Sequence, residues 1–167
     1  MRLKTRSVRE LDRIDRKILR QLQSDARLSI TELAERVGLS ATPCAERVRH
    51  LEREGIIQGY HARLDPHALG QSLLVFVELK LAQKSGPIFD EFRRKVVKLP
   101  NVLDCHLVSG DFDYLIKARI PGMSDYRKML GDMLLALPAA RESRSYIVME
   151  EVKESLALTI DEPPAEK

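Results

Sequence analysis

Residues 29–51 read SITELAERVGLSATPCAERVRHL and predict two helices joined by a tight turn. The first helix begins at a capping box, in which the Ser29 hydroxyl and the Glu32 carboxylate each satisfy a free backbone N–H. Gly38 then suits the left-handed conformation that ends many helices. Two helices joined by a four-residue turn that contains glycine are typical of a helix-turn-helix module.

The second of these helices is expected to enter the major groove of DNA. We expect it to run over residues 42–54, with Ser40 or Thr42 as N-cap and with Cys44, Val48 and Leu51 on its buried face. Arginine can donate two hydrogen bonds to O6 and N7 of guanine, while hydroxyl and arginine groups can also hold phosphates. The residues expected to contact DNA are Ser40, Thr42, Pro43, Glu46, Arg47 (on the flank), Arg49, His50 and Arg53.

Two flanking segments complete the predicted module. Residues 11–22 have the spacing of an amphipathic helix. Residues 56–64 are expected to form a strand that leaves the module as a wing and linker. A plain three-helix bundle with a basic surface is the alternative interpretation of this pattern.

Charge is divided unevenly along the 167 residues. Residues 1–64 carry 14 Lys and Arg against 9 Asp and Glu, a net charge of +5, whereas residues 65–167 carry 14 against 16, a net charge of −2. The basic excess therefore lies in the part that is expected to meet a polyanion.

The composition excludes several classes of protein. Hydrophobic residues make up 44% and charged residues 32%, as in an ordinary soluble protein. The two cysteines, Cys44 and Cys105, are too few for a disulfide scaffold and are expected to be reduced and buried. The sequence has neither a membrane-length apolar run nor an apolar N-terminal leader, so we expect a cytoplasmic protein. Because Cys and His residues are too few at short ligand spacing, no bound metal is expected.

The second half predicts an α+β domain with the order β-α-β-β-α-β, a ferredoxin-like pattern. The four strands are expected at residues 73–81, 102–108, 114–120 and 144–150. The helices are expected to start at Gly86-Pro87 and Pro121-Gly122, and to stop at Pro100 and Pro138. We expect Phe76 and Ile116 to lie on the sheet face without helices, which would favour a sheet-to-sheet dimer.

The loop at residues 109–113 is a candidate ligand site. Gly110 permits a tight backbone whose N–H groups can hold a carboxylate, and Asp113 could accept a hydrogen bond from an ammonium group. The alternative is an ordinary hairpin turn.

Eight strings carry a resemblance to a known family. In the first half they are LDRIDRKIL (11–19), VGLS (37–40), TPC (42–44), RVR (47–49), LE (51–52) and GII (55–57). In the second half they are HLVSGDFDYL (106–115) and YIVMEEVK (146–153). With their order and spacing, they closely resemble the leucine-responsive/asparagine-regulator (Lrp/AsnC) family of transcription factors over residues 11–160.

The resemblance implies a bacterial, nucleoid-associated regulator of double-stranded DNA that needs no cofactor beyond an amino-acid effector, with leucine expected. It implies homodimers that assemble into octamers or larger rings, and an effector bound between neighbouring dimers. The effector residues implied by the resemblance are Leu107, Asp113, Met123, Tyr146, Ile147 and Val148. The loop adds Gly110 and Asp111 as candidates. For Leu107, Ile147 and Val148, core packing is an equally good interpretation.

We therefore expect an N-terminal winged helix-turn-helix domain and a C-terminal ferredoxin-like domain. The expected divisions are a tail (1–10), the DNA-binding domain (11–59), a linker strand and hinge (60–72), the effector-sensing and oligomerisation domain (73–158) and a second tail (159–167). The sequence has no catalytic motif, so an enzyme is not expected. An amino-acid-binding assembly protein without DNA binding, or a local regulator of a different amino acid, is the alternative.

Overall fold

The computed structural model describes residues 10–136 and 140–161, although not the side chain of Ala136. Within these ranges the chain forms two compact units. One contains residues 10–62 together with 154–161, and the other contains the rest. The expected N-terminal tail (apart from Glu10), the stop at Leu137 and Pro138, and residues 162–167 of the expected C-terminal tail lie outside the described residues.

Three helices form the first unit: α1 (Arg13–Ser24), α2 (Ile30–Val37) and α3 (Ala41–Arg53). Each of them buries one apolar face in a common core. The buried members of that core are Ile18, Leu33, Ala34, Val37, Cys44, Val48 and Leu51. The spacing of apolar residues therefore predicted the packing of this unit correctly.

The predicted capping box is confirmed. The Ser29 hydroxyl accepts the Glu32 backbone N–H at 3.2 Å, and the Glu32 carboxylate accepts the Ser29 backbone N–H at 2.8 Å. Gly38 ends α2 with φ +79°, the left-handed conformation in which glycine carries no steric cost. α3 has Ser40 as its N-cap, without a side-chain hydrogen bond at that position.

The second unit contains strands β1 (Leu73–Leu81), β2 (Val102–Leu107), β3 (Tyr114–Ile120) and β4 (Ala140–Ile147), with helices α4 (Gly86–Val96) and α5 (Met123–Ala136). The strands form one antiparallel sheet in the order β2-β3-β1-β4. The predicted β-α-β-β-α-β pattern is therefore confirmed.

The core of the second unit lies between the sheet and the two helices. Val75, Val77 and Leu79 of β1 are fully buried on this side, and Phe92 of α4 stacks on Tyr114 with ring centroids 3.9 Å apart. Met133 of α5 is also buried here. These residues occupy the apolar positions that the helix and strand periods predict.

Three sequence-based expectations about this architecture are wrong. Ile116 pairs with Val77 and is fully buried in the core, so it lies on the helix-covered face and not on the open one. β4 begins at Ala140 rather than at residue 144 and ends at Ile147, because its polar first half pairs with β1. Residues 56–64, expected as a strand, form no ladder with any other part of the described chain.

The segment of residues 154–161 lies against α1. The Gln23 side-chain amide donates to the Leu158 carbonyl at 3.0 Å and accepts the Leu158 N–H at 2.7 Å. Arg16 donates to the Asp161 carbonyl at 3.1 Å. The sequence pattern predicted residues 154–158 in the second domain and residues 159–161 in a tail.

Candidate nucleic-acid interface and effector site

The outer face of α3 presents the polar side chains that the sequence predicted. Thr42, Glu46, Arg49 and Arg53 follow one another at offsets of four, three and four residues, and all four are exposed. This spacing places them in one stripe along the helix, opposite the buried Cys44, Val48 and Leu51. Ser40 is also exposed, while Pro43, Arg47 and His50 are partly buried.

Two of the predicted DNA contacts already have partners within the first unit. The His50 imidazole lies 3.2 Å from the Glu54 carboxylate, one helical turn later. Arg47 lies 2.6 Å from the Asp12 carboxylate and 2.7 Å from the Asp15 carboxylate at the start of α1. Burial alone would raise the pKa of Asp12, but hydrogen bonds from Asp15 N–H and Arg47 outweigh it, and the pKa lies below its usual value.

The C-terminal end of α3 is also tied to the chain that leaves the module. The Tyr60 hydroxyl donates to the Glu52 carboxylate at 3.0 Å. Burial and this carboxylate together raise the pKa of Tyr60 to about 12, so the phenol stays protonated at neutral pH and keeps donating. Sequence reasoning missed this contact because Tyr60 is eight residues away, beyond the range of helical periodicity.

The predicted ligand loop in the second unit is held by Asp113. Its side chain is buried, Oδ2 accepts the Leu81 backbone N–H at 2.8 Å, and Oδ1 lies 2.7 Å from the Lys84 ammonium. Burial alone would raise the pKa of Asp113, but these two hydrogen bonds hold it below its usual value. Gly110 has φ +140°, a conformation that disfavours a side chain, and the loop residues Ser109, Gly110 and Asp111 are exposed.

The eight predicted effector residues fall into two groups at opposite ends of the sheet. The first group is Leu107, Gly110, Asp111 and Asp113, beside the end of β1. The second group is Met123, Tyr146, Ile147 and Val148, beside the start of β1. Leu79 pairs with Tyr114 and Val75 pairs with Ile147, and four residues along a strand span about 13 Å. One copy of the chain therefore does not bring all eight residues into one pocket.

Most of the second group is exposed, as are Leu107 and the loop residues Ser109, Gly110 and Asp111. Met123 is 58% exposed and Ile147 is 38% exposed, so core packing does not explain these two positions in a single chain. Cys105 lies on β2, two residues before Leu107, and is only partly buried. This burial raises the pKa of its thiol to about 11. The expectation that both cysteines are buried is therefore wrong for Cys105, although Cys44 is buried and neither forms a disulfide among the described residues.

The open face of the sheet is more polar than predicted. Phe76 lies beside Tyr146 at its apolar centre, and oppositely charged residues face each other across the strands, as Glu78 does with Arg144 and Lys80 with Glu142. Cross-strand pairs of this kind stabilise a sheet face that is in contact with water or with a polar surface.

Family models match both units. A model described as winged helix-turn-helix DNA-binding matches residues 11–58, and one described as the Lrp/AsnC ligand binding domain matches residues 74–158. The chain belongs to the Lrp/AsnC family. It is a DNA-binding regulator of transcription with a ligand-binding second domain. No helix among the described residues is long and apolar enough to cross a membrane.

Curated relatives support this Lrp/AsnC assignment along almost the whole chain. The leucine-responsive regulatory proteins of Escherichia coli strain K12 and Salmonella typhimurium are each 58% identical over 157 residues, covering 94% of this chain and 96% of theirs. Both domains are therefore present in the same order.

Solved structures of Lrp/AsnC regulators have the same fold. A Neisseria meningitidis transcriptional regulator in complex with L-methionine is 34% identical, with a TM-score of 0.85 over 91% of this chain and 98% of that one. An AsnC family regulator from Agrobacterium tumefaciens is 36% identical, with a TM-score of 0.84 over 89% and 96% of the two chains. A Mycobacterium tuberculosis feast or famine regulatory protein complexed with L-methionine is 32% identical, with a TM-score of 0.83 over 91% and 100%.

Proposed function

We propose that this chain is a leucine-responsive transcriptional regulator in which α3 binds the major groove of DNA. The observation that carries the DNA part is the exposed stripe of Thr42, Glu46, Arg49 and Arg53 on α3. An arginine aimed at a base edge can read guanine, and the hydroxyl and remaining arginine can hold phosphates. A +5 charge on residues 1–64 adds attraction to the polyanion.

The effector of the second domain is an amino acid in this proposal, and leucine is the first candidate. Relatives that share 58% of their residues with this chain are named leucine-responsive. The exposed loop around Gly110 suits a carboxylate, which backbone N–H groups can hold. Asp113 is buried and already binds the Lys84 ammonium, so the ammonium group of an effector would have to replace Lys84 there. Methionine is the second candidate, because two solved relatives are complexes with L-methionine.

We further propose that the effector site is shared between copies of the chain. The two groups of effector residues lie at opposite ends of one sheet, so two chains that approach end to end could supply one group each. Homodimers through the open sheet face, assembled into octamers or larger rings, would provide such contacts. Phe76 and Tyr146 would then form the apolar centre of the dimer interface, with charged pairs around it.

In this proposal the amino acid acts by changing the assembly. A ligand shifts an equilibrium only through different affinities for the two states, so leucine must bind one oligomer more tightly than another. A change in oligomer size changes the number of α3 helices in one oligomer, and with it the set of DNA sites that the oligomer can bind at once. Because its partner is chromosomal DNA, we place the protein in the bacterial cytoplasm, associated with the nucleoid.

Analytical ultracentrifugation of the full chain, with and without promoter DNA, tests these proposals together. Leucine, methionine and a control amino acid of opposite chemistry, aspartate, are each added to the same sample. We expect leucine to change the sedimentation distribution and the DNA affinity, and aspartate to change neither. A response to methionine alone would replace the effector, and no response to either would overturn the effector assignment while leaving DNA binding intact.

Two rival functions have their own tests. Turnover of any candidate amino acid by the purified protein would indicate an enzyme. Equal affinity for promoter fragments and for random DNA would indicate an amino-acid-binding assembly protein that does not read sequence.

A further inference from the structure

Arg47 differs from the other arginines of α3 in what it contacts. Its guanidinium bridges two carboxylates at the start of α1, Asp12 at 2.6 Å and Asp15 at 2.7 Å. Asp15 is almost completely buried, at 2% exposure, whereas Arg49 and Arg53 on the neighbouring stripe are exposed. Arg47 therefore joins the helix that faces DNA to the helix behind it.

The ion pairs of this cluster disfavour a direct contact between Arg47 and DNA. Two carboxylates already accept hydrogen bonds from the Arg47 guanidinium, so a phosphate would have to compete with both of them. To reach a phosphate, Arg47 would have to leave the buried Asp15, and separating a buried ion pair is costly. The side chain is better suited to a role inside the protein.

The geometry of the cluster restricts the rotation of α3. Apolar contacts from Cys44, Val48 and Leu51 hold the helix in the core, but such contacts have no preferred direction. A charge-assisted hydrogen bond does have one, and here a single nitrogen of Arg47, Nη1, donates to both carboxylates. Asp12 is itself fixed, because its Oδ1 accepts the Asp15 backbone N–H at 2.8 Å as the N-cap of α1.

We propose that Arg47 is a positioning residue: its ion pairs with Asp12 and Asp15 set the rotation of α3 about its own axis, and thereby the direction in which Arg49 and Arg53 point. This inference rests on the DNA-binding function and adds a role for two acidic residues at the start of α1. It also replaces the expectation that Arg47 contacts DNA directly.

Removing the acidic partners tests this proposal, because electrostatics and positioning predict opposite signs. Asp12→Asn and Asp15→Asn each make the protein more positive, so charge alone would tighten DNA binding. Loss of positioning would weaken it. Asn is as good an N-cap as Asp, so Asp12→Asn keeps the start of α1 intact.

Asp25→Asn is the matched control. Asp25 is exposed at the other end of α1, and its side chain accepts the Arg27 backbone N–H at 2.9 Å, which Asn can also accept. Asp25→Asn makes the same change of charge at the C-cap of the same helix. Arg47→Lys tests for rescue, since a lysine keeps the charge but replaces the guanidinium whose Nη1 contacts both carboxylates.

The probes are a duplex enriched from a random-sequence pool by the unmodified protein and a random duplex of equal length. Dissociation constants are measured by fluorescence anisotropy at several salt concentrations, with active protein counted by stoichiometric titration. We expect Asp12→Asn and Asp15→Asn to weaken binding to the enriched duplex by roughly tenfold, the size of one lost base contact. Binding to the random duplex should change by less than about twofold, and Arg47→Lys should fall between the unmodified protein and Asp15→Asn.

Two results would overturn the proposal. If the acidic variants bind both duplexes more tightly and the salt slope steepens by about 0.9 for each freed arginine, Arg47 is a potential phosphate contact that the acids restrain. If they match Asp25→Asn on the enriched duplex, the ion pairs do not position α3. Thermal unfolding checks that each variant is folded. If Asp15→Asn does not fold, the proposal is judged on Asp12→Asn alone. Failure of the unmodified protein to enrich any duplex would overturn the proposed sequence recognition itself, and this inference with it.

Discussion

The Lys84 ammonium lies 2.7 Å from Oδ1 of the buried Asp113. Oδ2 accepts the Leu81 backbone N–H, and the Asp113 backbone N–H donates to the Leu79 carbonyl at 3.0 Å. Asp113 therefore fastens the loop between β2 and β3 to the end of β1. The loop proposed to bind the effector is held by an ion pair whose cation is on a separate, exposed segment.

Lys84→Met should lower stability in a pH-dependent way. The pKa of Asp113 is lowered in the folded state, so the stability contributed by its ionised form is present above the unfolded value of about 3.9 and is lost as the pH falls through the lower folded value. Because Lys84 is 56% exposed, solvent screening limits its contribution to about 0.5–1 kcal/mol at pH 7. Urea unfolding of both proteins at pH 7, and at the lowest pH at which both remain folded, measures the difference.

Lys98→Met is the control, because Lys98 is exposed and its substitution removes the same charge at a different place. A loss of stability in Lys84→Met that is the same at both pH values would show that the ion pair is not its source.

Asp113→Asn and Asp113→Ala should both reduce the response to leucine. Asn can still accept the Leu81 N–H, whereas Ala leaves this buried donor without its partner and should cost a further 1–3 kcal/mol, roughly. We expect affinity for DNA in the absence of leucine to change by less than about twofold in the Asn variant. Sedimentation with increasing leucine gives the response, and Asp104→Asn on β2 is a control with the same charge change. A normal leucine response in Asp113→Asn would show that the charge of Asp113 is not needed.

Arg49→Ala and Arg53→Ala should weaken DNA binding without changing assembly. Each phosphate contact that is lost should also flatten the plot of log affinity against log salt by about 0.9. Arg94→Ala is the control for net charge, because Arg94 is exposed on α4 in the other unit. Equal effects of all three substitutions would mean that overall charge, and not the face of α3, determines DNA affinity.

Ser29→Ala should destabilise the helix-turn-helix unit by about 1 kcal/mol, the usual cost of losing an N-cap side chain. Its hydroxyl accepts the Glu32 N–H, and its backbone N–H donates to the Glu32 carboxylate. Thermal unfolding followed by circular dichroism measures the change. Thr31→Ala, exposed in the first turn of the same helix, should alter the midpoint much less. Equal shifts from the two substitutions would contradict a capping role.

Gln23→Ala should loosen the segment of residues 154–161 from α1. It removes both hydrogen bonds between Gln23 and Leu158. Because these bonds are exposed, each is expected to contribute near the lower end of the usual range of roughly 0.5–1.5 kcal/mol. Hydrogen exchange should show faster exchange at the Leu158 amide, with little change in the core of α1. Gln58→Ala, exposed in the linker, should leave that amide unchanged. Unchanged exchange in Gln23→Ala would show that the segment is held by other contacts.

Local features of this protein could be predicted because they depend on residues a few positions apart. The capping box at Ser29, the left-handed Gly38 and the apolar stripe of α3 each lie within one or two helical turns. The alternation in β1 also predicted its two faces correctly. The misplacement of Ile116 was avoidable, since Lys117 and Arg119 alternate with it and mark the opposite face.

The sequence by itself determined the two-domain order, the helix-turn-helix and the stripe of polar residues on α3, because short-range periodicity and capping specify these. Only the tertiary structure decided which groups meet across long separations. Arg47 meets Asp15 from 32 residues away, Lys84 meets Asp113 from 29 residues away, and Leu158 meets Gln23 from 135 residues away. Such pairs depend on helix packing and strand register, which no local pattern encodes. The same register separates the predicted effector residues into two groups, so the fold determined that one copy does not bring them together.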